Sequence, residues 1–288
     1  MVLNPVWMAP YLVPPSIKPA GQVWVYSFHF ESPKSHGFAR KNTKAMSSRT
    51  DLTMTFQSKS DIFRPFYDLI PLTQDKLQKG LTNFTDAANK KYLLIWVVSN
   101  CACRSRMSLF KRLQEILGKD TVHLYGNCGK KLPCKRHDKA CEAVFFQQYK
   151  FYAAFESSRC RGYITEKFFR GLQTSMVPLA YGGVGRADYE RIAPKGAFLH
   201  VDDFASAEDL AKGLQEIDGD DARYSRFHEW RNKLEVSTQG SAHNRAYCEL
   251  CDRIAQPIDH KKHKRSFSDL HDWMFDSCIA DKPNWKTR

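Results

Sequence analysis

The segment spanning residues 150–183 constrains the fold of this chain more than any other. It reads KFYAAFESSRCRGYITEKFFRGLQTSMVPLAYGG, and its apolar and aromatic opening predicts a buried strand over residues 151–155. From Thr165 onward, apolar residues recur at helical spacing, and Pro178 limits that helix. Residues 177–181 then predict a second buried strand, so the segment is expected to fold as a βαβ unit.

The start of the predicted helix is the first candidate binding site. Glu166 and Lys167 fall in its first turn, beside the ends of the parallel strands. Free backbone N–H groups and the helix dipole favour an anion at such a position. We therefore expect a ligand that carries phosphate, although a βαβ unit with an ordinary capped helix would show the same pattern.

A second βαβ unit precedes the first. The run YLLIWVV over residues 92–98 predicts a strand buried on both faces, residues 106–117 predict a helix, and residues 121–125 predict a further strand. Open α/β sheets bind ligands at the carboxyl ends of their strands, so this unit is expected to share a crevice with Lys167. The residues expected there are Ser99, Asn100 and Arg106.

Arg106 is a candidate for binding a diphosphate, because a guanidinium can donate two parallel hydrogen bonds. A solvated arginine at a helix start is the alternative, and Arg104 is a neighbour that could take the same role. Beyond the central segment, the pattern predicts a helix over 187–192, a strand over 197–201, a helix over 206–217 and a helix over 224–234.

Composition limits the class of protein. The 288 residues are 42% hydrophobic and 13% aromatic, which suffices for two domains with apolar cores. The formal charge of +13 suggests an anionic partner. No RNA-recognition motif or long basic arm accompanies that charge, so a nucleic-acid-binding protein is the minor alternative. No apolar stretch is long enough for a membrane helix, which needs about 18 residues.

Nine cysteines, grouped along the chain, suggest local disulfides formed in a secretory compartment. A possible glycosylation sequon begins at Asn83. Residues 126–143 are rich in cysteine and lysine and are expected to form an excursion closed by a disulfide. A zinc site is the alternative for that excursion, with the ligands Cys128, Cys134, His137 and Cys141, but the irregular spacing argues against it. No metal site is predicted.

The N-terminal part contains a candidate proton acceptor. Residues 23–30 predict a strand that ends at Glu31, immediately before Ser32 and Pro33, and residues 52–56 predict a second strand. A carboxylate at a strand end near aromatic residues can accept a proton, although a solvated turn glutamate is the simpler interpretation. The predicted organisation is an N-terminal domain over 1–90, a second domain over 91–258 and a tail over 259–288.

The ordered run FYAAFES, YITEK, an apolar helix, then VP and a short strand resembles the donor-binding motif of the α1,3-fucosyltransferases, which use GDP-fucose. The resemblance covers about residues 21–273 and is strongest over 92–204. It implies an α/β fold of two Rossmann-like domains facing each other, the GT-B type of glycosyltransferase. The second domain would hold GDP-fucose, and the first is short enough to be incomplete.

The resemblance also implies a reaction and a set of functional residues. Glu31 would be the catalytic base for transfer of fucose to the 3-hydroxyl of N-acetylglucosamine in a glycan acceptor, with inversion at the sugar carbon. Cys248 and Cys251 would close a small disulfide loop. No cofactor would be required, although a divalent cation could stimulate the reaction. The implied donor-binding residues are Ser99, Asn100, Arg106, Tyr163, Glu166 and Lys167.

Such enzymes are usually type II membrane proteins of the Golgi lumen, and this chain shows no N-terminal anchor. Two segments depart from the family pattern. Residues 57–59 replace two arginines and an acid by Gln57, Ser58 and Lys59, and Ser157 stands where relatives often carry asparagine. These departures leave open a catalytically disabled homologue that binds a glycan or a nucleotide sugar.

Overall fold

The computed structural model describes residues 2–3, 18–28, 47, 50–78, 90–135, 138–256, 270–275 and 278–280. The candidate base Glu31, the sequon at Asn83 and the zinc-ligand candidate His137 lie outside the described residues.

The described strands and helices, in chain order, are as follows. The strands are β1 (Val2–Leu3), β2 (Val25–Phe28), β3 (Leu52–Thr55), β4 (Ile62–Phe63), β5 (Leu69–Pro71), β6 (Tyr92–Val97), β7 (Val122–Tyr125), β8 (Tyr149–Phe155), β9 (Arg159–Cys160), β10 (Val177–Tyr181), β11 (Leu199–His200), β12 (Leu234–Val236) and β13 (Cys278–Ile279). The α-helices are α1 (Gln74–Gln78), α2 (Arg104–Leu117), α3 (Lys139–Phe146), α4 (Glu166–Gln173), α5 (Arg186–Tyr189), α6 (Ala207–Asp218), α7 (Asp221–Arg226), α8 (Gln239–Ala255) and α9 (Leu270–Phe275).

The larger sheet has five parallel strands in the order β11-β10-β8-β6-β7. The chain runs outward in one direction from β6 to β7 and in the other from β8 to β11, so the strand order reverses between β6 and β8. Such a reversal leaves a crevice at the carboxyl ends of the two strands, since their following loops diverge. Both βαβ units predicted from the sequence are confirmed.

Strand β8 lies at the centre of this sheet, and all seven of its residues are buried. Phe151, Ala153 and Phe155 pack into the hydrophobic cluster on one face, which includes side chains of α2 and α6. Tyr152 and Ala154 pack into the cluster on the other face, which includes the apolar side of α4. The alternation follows from the period of two of a strand, and burial on both faces explains why residues 151–155 are all apolar or aromatic.

Helix α4 packs closely against its following strand. A Cβ atom on Gly171 would lie 2.7 Å from the Pro178 side chain. The glycine therefore lets the helix approach β10, and this contact sets the position of the helix N-terminus relative to the strand ends.

The smaller sheet contains β1 to β4, all parallel and in sequence order. Its cluster of buried apolar residues includes Ala246 and Leu250 of α8, which pack with Met54 and Ile62. Other N-terminal side chains, Trp24 and Phe56 among them, belong to the cluster under α4. Strand β12 also pairs antiparallel with β5. The two sheets are therefore joined through shared cores.

Three disulfides are present among the described residues: Cys101–Cys128, Cys134–Cys141 and Cys160–Cys278. The predicted closure of the excursion over 126–143 is confirmed. The zinc alternative is wrong, because its three cysteine ligands are consumed in disulfides.

The disulfide implied between Cys248 and Cys251 is absent from the structure, and both thiols are free and exposed. They lie three residues apart within the continuous helix α8. Side chains so placed have Cβ atoms about 5–6 Å apart, whereas a disulfide needs about 3.5–4.5 Å. The helix would have to unwind for the two sulfur atoms to bond.

The helix predicted over 224–234 is wrong in its second half. Helix α7 ends at Arg226, and a 3₁₀ turn follows at Glu229–Asn232. Leu234 then begins β12 and pairs with Pro71 of β5. Pairing with a distant strand overrides the local helical spacing. None of the helices within the described ranges is both long and apolar enough to cross a membrane.

Two buried residues of this region give a pH-dependent stability. Arg231 donates hydrogen bonds of 2.6 Å to the carbonyls of Leu172 and Thr174 at the end of α4, and its Nε donates to Nδ1 of His228 at 3.2 Å. Burial, followed by the charges of Arg231 and Lys90, lowers the pKa of His228 to about 3. The imidazole is therefore neutral in the folded protein.

We expect acidification to destabilise the protein through His228. The unfolded chain binds a proton at this residue below about pH 6.5, but the folded protein does so only near pH 3. This residue alone should lower the free energy of unfolding by about 2 kcal/mol between pH 7 and pH 5. Urea unfolding at pH 7 and pH 5 should show a smaller decrease in the free energy of unfolding for His228→Gln than for the wild type. Glutamine keeps an acceptor for Arg231. Equal decreases in the two proteins would contradict the prediction.

Candidate donor site

A cavity of about 860 Å³ lies at the carboxyl ends of β6 and β8, where the strand order reverses. Its wall includes the residues that follow these two strands, the first turns of α4 and the excursion after β7. Among the described residues, six cationic side chains and two carboxylates line it. The cations are Arg106, Lys131, Lys135, Lys139, Lys167 and Arg170, and the carboxylates are Glu142 and Glu166. This excess of positive charge favours an anionic ligand.

Five of the six predicted donor-binding residues line this one cavity: Ser99, Asn100, Arg106, Glu166 and Lys167. The expectation that two separate βαβ units contribute to one crevice is met, and the roles of these residues stay predictions. Tyr163 is not among the lining residues. It is buried and packs edge-on against Phe56 and Phe66, with ring centroids 5.3 and 6.3 Å away. Its apolar surroundings bring it into the core.

Arg106 is 2% exposed and ties the two central strands together. Its Nη1 donates to the carbonyl of Phe155 at 2.9 Å, and its Nη2 donates to the carbonyl of Asn100 at 2.6 Å. The guanidinium lies 5.4 Å from the centre of the Trp96 ring. Arg106 therefore fixes the loop after β6 to the end of β8 and stabilises the position of the two strand ends that border the crevice.

Lys167 lies between two carboxylates. Its ammonium group is 2.9 Å from Glu166 Oε1, 3.4 Å from Glu156 Oε2 and 2.8 Å from the Thr165 hydroxyl. Burial lowers the pKa of Lys167, but the two carboxylates together outweigh it and raise this pKa above its ordinary value. Burial likewise acts to raise the pKa of Glu166, but the charge of Lys167 together with hydrogen bonds from Lys167 and Thr165 lowers that pKa below its ordinary value. The ion pairs keep the ammonium charged and held in place.

Glu156 is the buried member of this group, and the sequence reasoning did not single it out. Its side chain is fully buried and accepts hydrogen bonds from the backbone N–H and the hydroxyl of Thr165, at 2.7 and 2.9 Å. Burial raises its pKa, and the charge of Lys167 opposes that shift. A Cβ atom on Gly182 would lie 2.7 Å from Glu156 Cγ, so the glycine makes room for this side chain. A carboxylate directly after a buried strand was the available sequence signal.

Other cavity residues were also missed. Arg170 follows Lys167 by three positions on α4, so helical spacing alone places the two on neighbouring parts of one face. Lys131, Lys135 and Glu142 come from the excursion after β7 and the first turn of α3. Disulfides Cys101–Cys128 and Cys134–Cys141 brace this excursion, and no local pattern showed that it folds over the strand ends.

The described residues contain no group of three or more histidine, cysteine or acidic side chains arranged to hold a metal ion. The pair Asp202 and Asp203 forms ion pairs with Arg159 and Arg186 instead. These two carboxylates serve in packing of the loop after β11.

Comparison with known proteins places the chain in a family. Residues 87–273 match the family described as glycosyltransferase family 10 (fucosyltransferase) C-term. The Alpha-(1,3)-fucosyltransferase C of Drosophila melanogaster is 31% identical over 296 residues, which covers 96% of this chain and 65% of the relative. The 4-galactosyl-N-acetylglucosaminide 3-alpha-L-fucosyltransferase FUT5 of Homo sapiens is 37% identical over 246 residues, covering 85% of this chain and 60% of the relative. The chain thus spans less than two thirds of the length of these relatives.

Solved structures support the fold. The crystal structure of an alpha1,3-fucosyltransferase with GDP-fucose matches with a TM-score of 0.56 at 14% identity, covering 84% of this chain and 78% of that one. A further alpha1,3-fucosyltransferase structure matches with a TM-score of 0.57 at 15% identity. These matches confirm the predicted α/β architecture of the GT-B type. With the family match over residues 87–273, they lead to the conclusion that this chain belongs to glycosyltransferase family 10, the fucosyltransferases.

Proposed function

We propose that the protein transfers fucose from GDP-fucose to the 3-hydroxyl of an N-acetylglucosamine residue in a glycan, with inversion at the sugar carbon. The observation that carries this proposal is the cationic cavity at the strand-order reversal, built from the residues that resemble the family's donor motif. A related structure bound to GDP-fucose supports the choice of donor.

The pyrophosphate is proposed to lie at the N-terminus of α4, beside Lys167. Negative charge develops on GDP as the bond to fucose breaks, and preorganised cations lower the energy of that transition state. Lys167 would act directly on the phosphate oxygens. Arg106, which lines the cavity, would add positive charge and would keep the loop at Asn100 in place. Ser99 and Glu166, which also line the cavity, complete the proposed donor set.

Glu31 is proposed to remove the proton of the acceptor hydroxyl as the hydroxyl oxygen attacks the sugar carbon. The reaction is proposed to need no cofactor. The cationic side chains at the cavity support this proposal, because they could stabilise the negative charge on the departing GDP. We place the protein in the Golgi lumen, and the three disulfides support an oxidising compartment of that kind.

Release of GDP from GDP-fucose in the presence of a glycan panel tests the proposal, with mass spectrometry of the products. We expect fucosylated product from the wild type. Glu31→Gln should reduce turnover by about 10²–10⁴-fold and leave the affinity for GDP unchanged. Glu115→Gln, at an exposed position on α2, is the matched control and should behave as the wild type.

One observation favours a second candidate function, a homologue that binds the donor without turnover. The side chain of Gln57, where the family carries an arginine, is buried and donates to the carbonyl of Met274 at 3.1 Å. This residue is therefore engaged in packing and not open to an acceptor. Donor binding by the wild type with no product on any glycan would support this candidate over the enzyme.

A further inference from the structure

Three elements bring an acid, a guanidinium and an aromatic ring to one part of the cavity. Glu142 comes from the first turn of α3, Arg170 from α4, and Tyr152 from β8, and all three line the cavity. Arg170 lies three residues beyond Lys167, about 4.5 Å further along the helix. Glu142, Arg170 and Tyr152 therefore form a subsite of the cavity next to Lys167.

Both charged groups have hydrogen-bonding capacity to spare. The carboxylate of Glu142 is 19% exposed, and its ion pair is a 3.8 Å contact to the highly exposed Lys139. Among the described residues, the one hydrogen bond of the Arg170 guanidinium is to the Tyr152 hydroxyl, at 3.5 Å. Glu142 is close enough to Arg170 for its negative charge to act on the guanidinium, but the two side chains form no ion pair with each other. A ligand edge can therefore enter between an acceptor and a donor that face the same space.

The arrangement is complementary to guanine. The guanine ring presents N1–H and the N2 amino group side by side as donors, which a carboxylate can accept with its two oxygens. Its O6 atom is an acceptor next to that pair, and a guanidinium is a common donor to O6. Adenine, cytosine and uracil do not present two adjacent donors of this kind beside an acceptor.

We infer that Glu142 and Arg170 recognise the guanine ring of the donor and so determine the nucleotide specificity of the site. Tyr152 accepts a hydrogen bond from Arg170, and the Arg170 guanidinium lies 5.9 Å from the Phe146 ring centre, so these two buried rings hold the guanidinium in place. This inference rests on the proposed function, in which the donor is a guanosine diphosphate sugar. It adds a specificity determinant that lies outside the YITEK segment.

Isothermal titration calorimetry with GDP, IDP, XDP and UDP tests the role of Glu142. IDP lacks the N2 amino group, and XDP carries an oxygen there. We expect the wild type to bind GDP about 10–100-fold more tightly than IDP, the value of one hydrogen bond to a charged group. Glu142→Gln should weaken GDP binding by a similar factor and reverse the preference between GDP and XDP, because the amide N–H can donate to the oxygen at position 2. Glu115→Gln is the matched control.

Arg170→Met provides an independent check. O6 is present in both GDP and IDP, so this variant should weaken both nucleotides by the same factor and leave their ratio unchanged. Melting temperatures of all variants, measured without nucleotide, show whether each variant is folded.

The outcomes separate this inference from the proposed function. A wild type that does not bind GDP would overturn the function and the inference together. A wild type that binds GDP but binds IDP or UDP equally well would overturn the inference alone. The inference alone would also be overturned if the folded Glu142→Gln variant kept the wild-type ratio of GDP to IDP affinities and still preferred GDP over XDP.

Discussion

Replacing Lys167 by methionine is expected to lower kcat for the proposed fucose transfer by about 10²–10³-fold, the effect of removing one preorganised charge from a developing anion. Methionine keeps the length of the side chain and removes the ammonium that contacts Glu166, Glu156 and Thr165. The affinity for GDP should fall as well, since the ground state also carries the phosphate charge. Initial-rate kinetics and calorimetry on the same protein measure the two effects.

Lys212→Met is the matched control for this variant. The Lys212 side chain is 78% exposed on α6, and its ammonium group lies 3.9 Å from the Glu216 carboxylate. Removing this ammonium should leave kcat and the affinity for GDP unchanged. Near wild-type turnover by a folded Lys167→Met protein would remove Lys167 from the reaction. It would leave the family assignment intact, because that assignment depends on the sequence match.

Replacing Arg106 by leucine is expected to lower the free energy of unfolding by about 2–4 kcal/mol. The change removes the guanidinium donor from the buried carbonyl of Phe155 and from the part-buried carbonyl of Asn100. Arg106→Lys should recover only part of the loss, since one ammonium cannot reach both carbonyls in the geometry of a guanidinium.

Urea unfolding of the three proteins measures this effect. Arg112→Leu is the control, because Arg112 belongs to the same helix and its side chain is 52% exposed. We expect that variant to change the free energy of unfolding by less than about 1 kcal/mol. A similar stability of Arg106→Leu and the wild type would show that the buried hydrogen bonds add little to the junction of β6 and β8.

The sequence predicts the larger sheet well because its signals are local and strong. Strands β6 and β10 and residues 151–155 of β8 are apolar runs, and all three strands are predicted within one residue of their observed ends except at the start of β8, which contains Lys150. Ser206, the first residue of the helix predicted over 206–217, is the N-cap of α6 and accepts a hydrogen bond from the backbone of Asp209 at 3.1 Å. Periodicity, proline and capping signals all act over a few residues, so a single sequence contains them.

The site was harder to predict, because its residues meet only through tertiary structure. Lys167 could be placed from a motif, but the excursion that brings Lys131 and Glu142 over the strand ends has no periodic pattern. The pairing of Cys160 with Cys278 spans 118 residues, and no local spacing indicates it. Leu234 was assigned to a helix because its partner strand β5 lies far away in the chain.

The position of α8 has a consequence for dividing this protein. This helix belongs to the C-terminal half of the chain, yet Ala246 and Leu250 complete the apolar core of the N-terminal sheet. Cleavage of the backbone between α1 and β6 would therefore produce two fragments that each lack part of their own interior. We expect such fragments to stay associated when they are produced together and to aggregate when they are expressed separately. Neither fragment should fold independently.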